Sequence, residues 1–419
     1  MTSNLPLAWL RPVAAIDSMT ARAPAPADTT STHRSLAAAH ARLAARDDAI
    51  LRTQIAIAQI AAPTGEEHER GDWIARRFRD CGLSSIETDA VGNVIARRSG
   101  IADLPPVVIC AHLDTVFPRE TDLSIRRDGA RLVGPGINDN GRGLAVMLAL
   151  AGEIDGARVA PIHPIEFVAT TGEEGIGDLR GAKHYFAGRG RAAQAMVALD
   201  GAGDERIIHR ALGSRRFRVS YCGPGGHSWA AFGVANAVHA AAGAASRLAT
   251  LPLPSTPRTT LSVGRIGGGL SINSIPDSAW LEIDLRSTAT DKLDELERAI
   301  HQITRAAADE ENAKRAVGTR ELSLTIESIG SRPCGETAIE SAIVQSAIEA
   351  TRLVGRRPDL ALASTDANVP ISQGIPAIAI GAGGRGGDAH THAEWFDNLH
   401  GTVGVARALT IVMSAAGMA

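Results

Sequence analysis

Two adjacent glutamates, Glu173 and Glu174, follow an apolar run in the stretch ATTGEEGIGD, residues 169–178. An isolated pair of this kind is ordinarily a solvated loop, because glutamate favours water. Here other reactive groups occupy equivalent places. His112 and Asp114 follow the apolar run VVICA, Asp200 follows MVAL, and His390 and His392 follow AIAI through a glycine-rich loop. Asp139 stands in GPGINDNG ahead of a helical pattern, where by itself it would read as a turn residue or helix N-cap. Carboxylates crowded together repel one another unless cations neutralise them. Histidines and carboxylates without thiolates suit zinc, cobalt or manganese. One carboxylate shared between two such ions would make a two-metal site able to activate water.

For these residues to meet, the elements carrying them must end at one place. VVICA (107–111), IEFVAT (165–170), MVAL (196–199) and AIAI (377–380) are short continuous apolar runs, as expected of strands buried on both faces. Helical patterns lie between them, at about 143–154 and 339–354. Alternation of this kind predicts an α/β domain with a largely parallel sheet, and in such sheets ligands bind beyond the carboxyl ends of the strands. Upstream, a helical pattern runs from about Ser35 to Pro63, and a second over about 67–81 ends at Gly82.

The middle of the chain has a different period. Residues 215–222 (RRFRVSYC) and 279–287 (AWLEIDLRS) alternate polar and apolar, as half-exposed antiparallel strands do, with helical segments at about 233–249 and 290–308. The expected organisation is therefore a catalytic α/β domain over 35–212 and 329–419, interrupted by an α+β domain over 213–328. Residues 1–34, rich in Ala, Pro and Thr toward their end, are expected to be a disordered leader.

Composition excludes several classes of function. Lys and Arg number 43 against 46 Asp and Glu, a net charge of −3, which speaks against a nucleic-acid or membrane-surface binder. There is no apolar run long enough to span a membrane. The N-terminus lacks a basic leader segment and Arg11 interrupts its apolar part, so no signal peptide is expected. The cysteines, Cys81, Cys110, Cys222 and Cys334, form no Cys-x-x-Cys pair, which fits a reducing compartment and a cytoplasmic location.

The stretches HLDTV at 112, GPGINDNGRG at 134, TGEEGIG at 171, LDG at 199, GGHS at 225, NSIPDSA at 273, DLR at 284, STDAN at 364 and HTHAEW at 390 together resemble the M20 family of metallopeptidases, in family order. That family includes peptidase T, glutamate carboxypeptidase, dipeptidases and aminoacylases. The resemblance implies a zinc-peptidase-type fold with an inserted lid and dimerisation domain, and a homodimer. It implies two divalent ions per chain: zinc is favoured, with cobalt or manganese as alternatives. His112 and Asp200 would hold one ion, Glu174 and His390 the other, and Asp139 would bridge them across a cis Asp139–Asn140 peptide. Asp114 would orient His112, and Glu173 would be the general base. The family spacing from histidine to Glu394 selects His390 over His392.

By the same resemblance, His227 would donate to the oxyanion in the other protomer's site, and Asn273 and Arg286 would bind substrate, Arg286 facing a carboxylate. Thr365 and Asp366, expected to follow a helix, are candidates to line the pocket, although Asp366 also reads as a cap or turn residue. Family members with aspartate at the place of Asp200 are mostly aminopeptidases or dipeptidases, so the resemblance favours an aminopeptidase or a di- or tripeptidase. Carboxypeptidase, N-acyl amino acid deacylase and other small C–N bond hydrolysis or deamination are the alternatives within the family, and a non-catalytic binding protein is the alternative outside it. Nucleic acid and membrane are not expected partners.

Overall fold

The computed structural model describes residues 29–154 and 160–418. Its main sheet has nine strands. Across the sheet run Ser84–Thr88, Val94–Arg98, Ile165–Thr170, Val107–His112, Ala195–Leu199, Ala377–Ile380, Arg206–Ala211 and Gly335–Glu336, while Asp359–Ala363 pairs parallel with Arg206–Ala211. The four apolar runs found in the sequence are the four adjacent central strands, and they are mutually parallel. Each is buried along its whole length because both faces are covered. Val107, Ile109 and Ala111 enter one core with the helices Gly141–Glu153, Ala342–Leu353 and Gly401–Ala416. Val108 and Cys110 point the other way, into a core shared with Arg180–Ala187 and Asn368–Ser372. Each large aliphatic side chain so buried contributes about 1.5–3 kcal/mol.

A second sheet is antiparallel, in the order Thr259–Gly268, Ser278–Ser287, Gly213–Cys222, Ser323–Arg332. Its period-2 pattern places Phe217, Val219, Tyr221, Leu281, Ile283 and Leu285 against two helices, Ala237–Ala249 and Thr290–Ala313. On the opposite face directly paired positions carry opposite charges: Arg218 meets Glu282 at 2.6 Å and Arg216 meets Asp284 at 3.0 Å. Cross-strand pairs of this type contribute roughly 0.2–1 kcal/mol each.

Some local expectations need correcting. The first helix begins at Thr29, ahead of the expected Ser35, so the end of the proposed leader is helical; residues 1–28 lie outside the described residues. The pattern from Ser35 onward is two helices, Thr29–Ala45 and Asp47–Ala58. Asp47 and Asp48 occupy the first turn of the second, where carboxylates are favoured by the helix dipole, and they mark the break. Thr365 and Asp366 follow the strand Asp359–Ala363 directly rather than a helix. A small antiparallel sheet that the sequence does not announce, Arg385–Gly387, Trp395–Asp397, Arg131–Val133 and Arg126–Asp128, ties the loop of His390 to the chain just before Asp139. No helix among the described residues is long and apolar enough to cross a membrane.

Candidate active site and metal centre

Because the four central strands are parallel, their carboxyl ends form one edge. His112 is the last residue of its strand, and Asp200 directly follows Leu199. After Thr170 the chain turns at Gly172, whose φ of +61° is a conformation that a side chain would strain. Glu67, buried beside this turn, accepts the Gly172 amide at 3.0 Å and the Gly65 amide at 2.8 Å, and pairs with Arg180 at 3.1 Å. Asp114 fixes the next step. Its Oδ1 accepts the amide of Glu173 at 3.0 Å and its Oδ2 that of Glu174 at 2.9 Å, with the Thr64 hydroxyl at 2.9 Å. The same carboxylate lies 3.5 Å from His112 Nδ1.

Asp139 is held just as firmly. Glu394, fully buried, accepts the amides of Asn138 and Asp139 at 2.8 Å and that of Gly136 at 3.1 Å. Asn140 caps the helix Gly141–Glu153 through the Gly143 amide, and its amide group donates to Leu199 O at 2.9 Å, joining this loop to the strand before Asp200. The Asp139–Asn140 peptide is cis, as expected.

Asp139 presents its two oxygens to different histidines: Oδ1 lies 3.0 Å from His112 Nε2, and Oδ2 lies 3.2 Å from His390 Nε2. Asp200 Oδ1 is 3.9 Å from His112 Nε2, and Glu174 Oε1 is 2.7 Å from His390 Nε2. Potential ligand atoms of His112, Asp139 and Asp200 therefore lie within 4.8 Å of one another, as do those of Asp139, Glu174 and His390. Glu173 comes within the same reach of His112 and Glu174. His392 belongs to neither set; its ring packs 5.7 Å from that of Phe117.

The electrostatics are those of a site built around positive charge. Burial, with the Asp139 charge beside it, pushes Asp200 up to about 7. Burial also raises Glu173 well above the carboxylate range, against the pull of His112 and Arg332. For His112, burial disfavours the charged ring, but hydrogen bonds to Asp114 and Asp139 overcome it and hold the pKa well above 6.5. Hydrogen bonds to Asp139 and Glu174 raise His390 to about 10. Glu173 and Asp200 thus lean on protons, and Asp139 on the two histidines, where cations would serve. The donor set, two imidazoles and carboxylates without a thiolate, fits two divalent ions sharing Asp139.

The other expected residues fall outside these ligand sets. His227 is exposed in the short strand Gly226–His227, paired with Ser274–Ile275, and its Nδ1 accepts the Trp229 amide at 3.2 Å. Asn273 is exposed on the adjoining loop, and Arg286, on the charged face of the second sheet, pairs with Asp284 at 2.7 Å. Thr365 is buried and caps a turn, its hydroxyl accepting the Ala367 amide at 3.2 Å. Asp366, also buried, accepts the Thr170 hydroxyl at 2.5 Å beneath the Glu173 loop, and burial raises it to about 6. Sequence reasoning gave no role of their own to Glu67, Glu394 and Arg332. Glu394 was visible as the end of the histidine-to-glutamate spacing; Arg332 carries no sequence signal, since only the fold brings it to Glu173.

Residues 108–414 match the peptidase family M20/M25/M40. A succinyl-diaminopimelate desuccinylase of Corynebacterium glutamicum is 26% identical over 255 residues, covering 59% of this chain and 68% of the relative. The chain thus spans about two thirds of the length of the curated relatives it matches. Among solved structures, the aminopeptidase PepT of Bacillus cereus has a TM-score of 0.71 at 23% identity, covering 88% of this chain and 99% of that one. A tripeptidase of Staphylococcus aureus has a TM-score of 0.72 at 22% identity, covering 88% and 98%. At these identities the structures establish a shared fold. With the match extending over most of its length, the chain is a member of peptidase family M20/M25/M40.

Proposed function

We propose that this protein is a metal-dependent hydrolase that cleaves an amide bond of a small peptide or N-acyl amino acid. The observation that carries the reading is Asp139, whose two oxygens join the sets His112–Asp139–Asp200 and Asp139–Glu174–His390. Two divalent ions held there, zinc by preference and cobalt or manganese as alternatives, would supply Lewis acidity and an acidified water. Glu173 is the general base: it takes a proton at its carboxylate and returns it to the leaving amine. Asp114 keeps the His112 ring in place from behind. His227, Asn273, Arg286, Thr365 and Asp366 are proposed to contact substrate. His227, exposed and outside its own chain's ligand sets, would serve as oxyanion donor in the site of a second protomer.

The second sheet and its helices are proposed as a lid and dimerisation unit inserted over about 213–328, the last strand of the sheet running on to Arg332, making the protein a homodimer. A cytoplasmic location fits cysteines that form no disulfide among the described residues. An aminopeptidase or tripeptidase activity is supported by Asp200 and by the names of two solved structures of the same fold. Carboxypeptidase or deacylase activity is the second reading, favoured by the desuccinylase among the curated relatives. A hydrolysis screen of dipeptides, tripeptides, N-acyl and N-succinyl amino acids with zinc, cobalt or manganese separates these readings. Cleavage only of substrates with a free amino terminus supports the first. Cleavage only of N-blocked substrates supports the second, and no hydrolysis by fully metallated protein refutes both.

A further inference from the structure

Arg332 ends the strand Ser323–Arg332, the last strand of the second sheet, yet its guanidinium is buried against the loop that carries Glu173. Nη1 lies 3.1 Å from Glu173 Oε1 and 3.3 Å from the Ser364 hydroxyl, and Nη2 donates to the backbone carbonyl of Glu173. Nε is buried without a hydrogen-bond partner among the described residues. Leaving a buried donor unsatisfied is unfavourable, so docking alone is a poor reason to keep an arginine there. Docking is in any case secured by other groups. The Ser331 amide donates to Asp178 Oδ2 at 2.8 Å, and Arg216, on the neighbouring strand, donates to Gly175 O at 2.7 Å. What Arg332 adds is a grip on the Glu173 side chain itself.

We propose that Arg332 is a positioning residue for proton transfer: its planar fork holds Oε1 and the carbonyl of Glu173 together, so that the other carboxylate oxygen is the one that carries the proton. This rests on Glu173 being the general base. A carboxylate on a short loop has rotamers that would turn it away from the reacting water, and a fork fixed at two points removes them at no rearrangement cost during the reaction. An ammonium cannot span the same acceptors, so lysine replaces the charge but not the geometry. Since Arg332 belongs to the second sheet, the aim of the base also depends on how that sheet is seated.

The test uses full-length, zinc-loaded Arg332→Met and Arg332→Lys, with Glu173→Gln and the double variant Glu173→Gln/Arg332→Met. Substrate is whichever peptide or N-acyl amino acid the screen identifies; zinc stoichiometry, melting temperature and crystal structures are measured alongside. For Arg332→Met the expected result is a fall in kcat of at least about tenfold with KM changed less than about threefold and zinc retained, because the interaction serves the transition state. Its crystal structure should show the Glu173 carboxylate displaced while His112, Asp139, Glu174, Asp200 and His390 superpose on the wild type. Arg332→Lys should recover only part of the rate, and in the Glu173→Gln background the Met substitution should cost little more, since residues acting as a unit are not additive. An unmoved Glu173 carboxylate, or an equal loss from Arg332→Met in both backgrounds, overturns the proposal, while a strongly reduced but measurable kcat in Glu173→Gln leaves the base in place. Wild-type kcat in Glu173→Gln would remove the base reading and this proposal with it. Should Arg332→Met fail to fold, Arg332→Lys decides by the same Glu173 displacement and kcat loss.

Discussion

Asp114 Oδ2 accepts the backbone amide of Glu174 at 2.9 Å, so a residue that follows one strand fixes a metal-ligand candidate that follows another. Its Oδ1 does the same for Glu173, and the carboxylate also stands behind His112. A single buried aspartate therefore registers three of the groups around the centre.

Replacing Asp114 by alanine should accordingly disturb both halves of the site. The expected result is a loss of about 10- to 100-fold in metal affinity, the usual cost of removing a group that orients ligands. Competition against a chelator of known affinity measures it. Unchanged affinity in Asp114→Ala would show that the strand ends are registered without it.

Glu173→Gln keeps the shape of the side chain and removes its basicity. We expect kcat to fall at least about 10²-fold, as for loss of a general base, with metal stoichiometry by elemental analysis unchanged. Retained turnover would mean that another group accepts the proton.

Metal removal should act on stability as well as activity. Ligand that binds only the folded chain adds about 2.7 kcal/mol at a free concentration 100 times its Kd. Chelation should therefore lower the melting temperature and abolish hydrolysis, and zinc, cobalt or manganese should restore both. Asp139→Ala, lacking the carboxylate shared by both sets, should show little thermal response to the same ions. A full response in that variant would place the binding elsewhere.

A fourth prediction concerns acid, away from the site. His40, in the first helix, bonds Thr410 of the C-terminal helix at 3.1 Å, and burial lowers its pKa below 6.5. The unfolded chain then takes up a proton more readily than the folded one. His40 contributes stability above pH 6.5 that is lost as pH falls toward its folded pKa. Melting temperatures at pH 7.5 and 5.5 should show a smaller acid loss for His40→Gln than for the wild type; equal losses would refute it.

How much could be read beforehand follows from the physics of each element. VVICA, IEFVAT, MVAL and AIAI were legible because a strand covered on both faces must be apolar throughout, and the polar residues just after them then fell at one edge. The period-2 segments around Phe217 and Leu281 were legible because only one face of their sheet is covered. By contrast, the short strands Arg126–Asp128 and Arg385–Gly387 are exposed, so no hydrophobic period marks them. The break at Arg46 leaves the apolar positions on both sides in one core, and the pattern runs across it. Arg332 reaches Glu173 from another sheet, a relationship that no local spacing encodes.

The interleaving of the chain has a consequence for synthesis. The main sheet is begun by strands before the second sheet and finished by Ala377–Ile380 after it, and His390 lies later still. A nascent chain leaving the ribosome would hold His112, Asp139, Glu174 and Asp200 long before it holds His390. Contacts so distant in sequence form slowly. During elongation the half-built centre is a crowd of carboxylates without its last imidazole, so the two ligand sets can be completed only after His390 has been made.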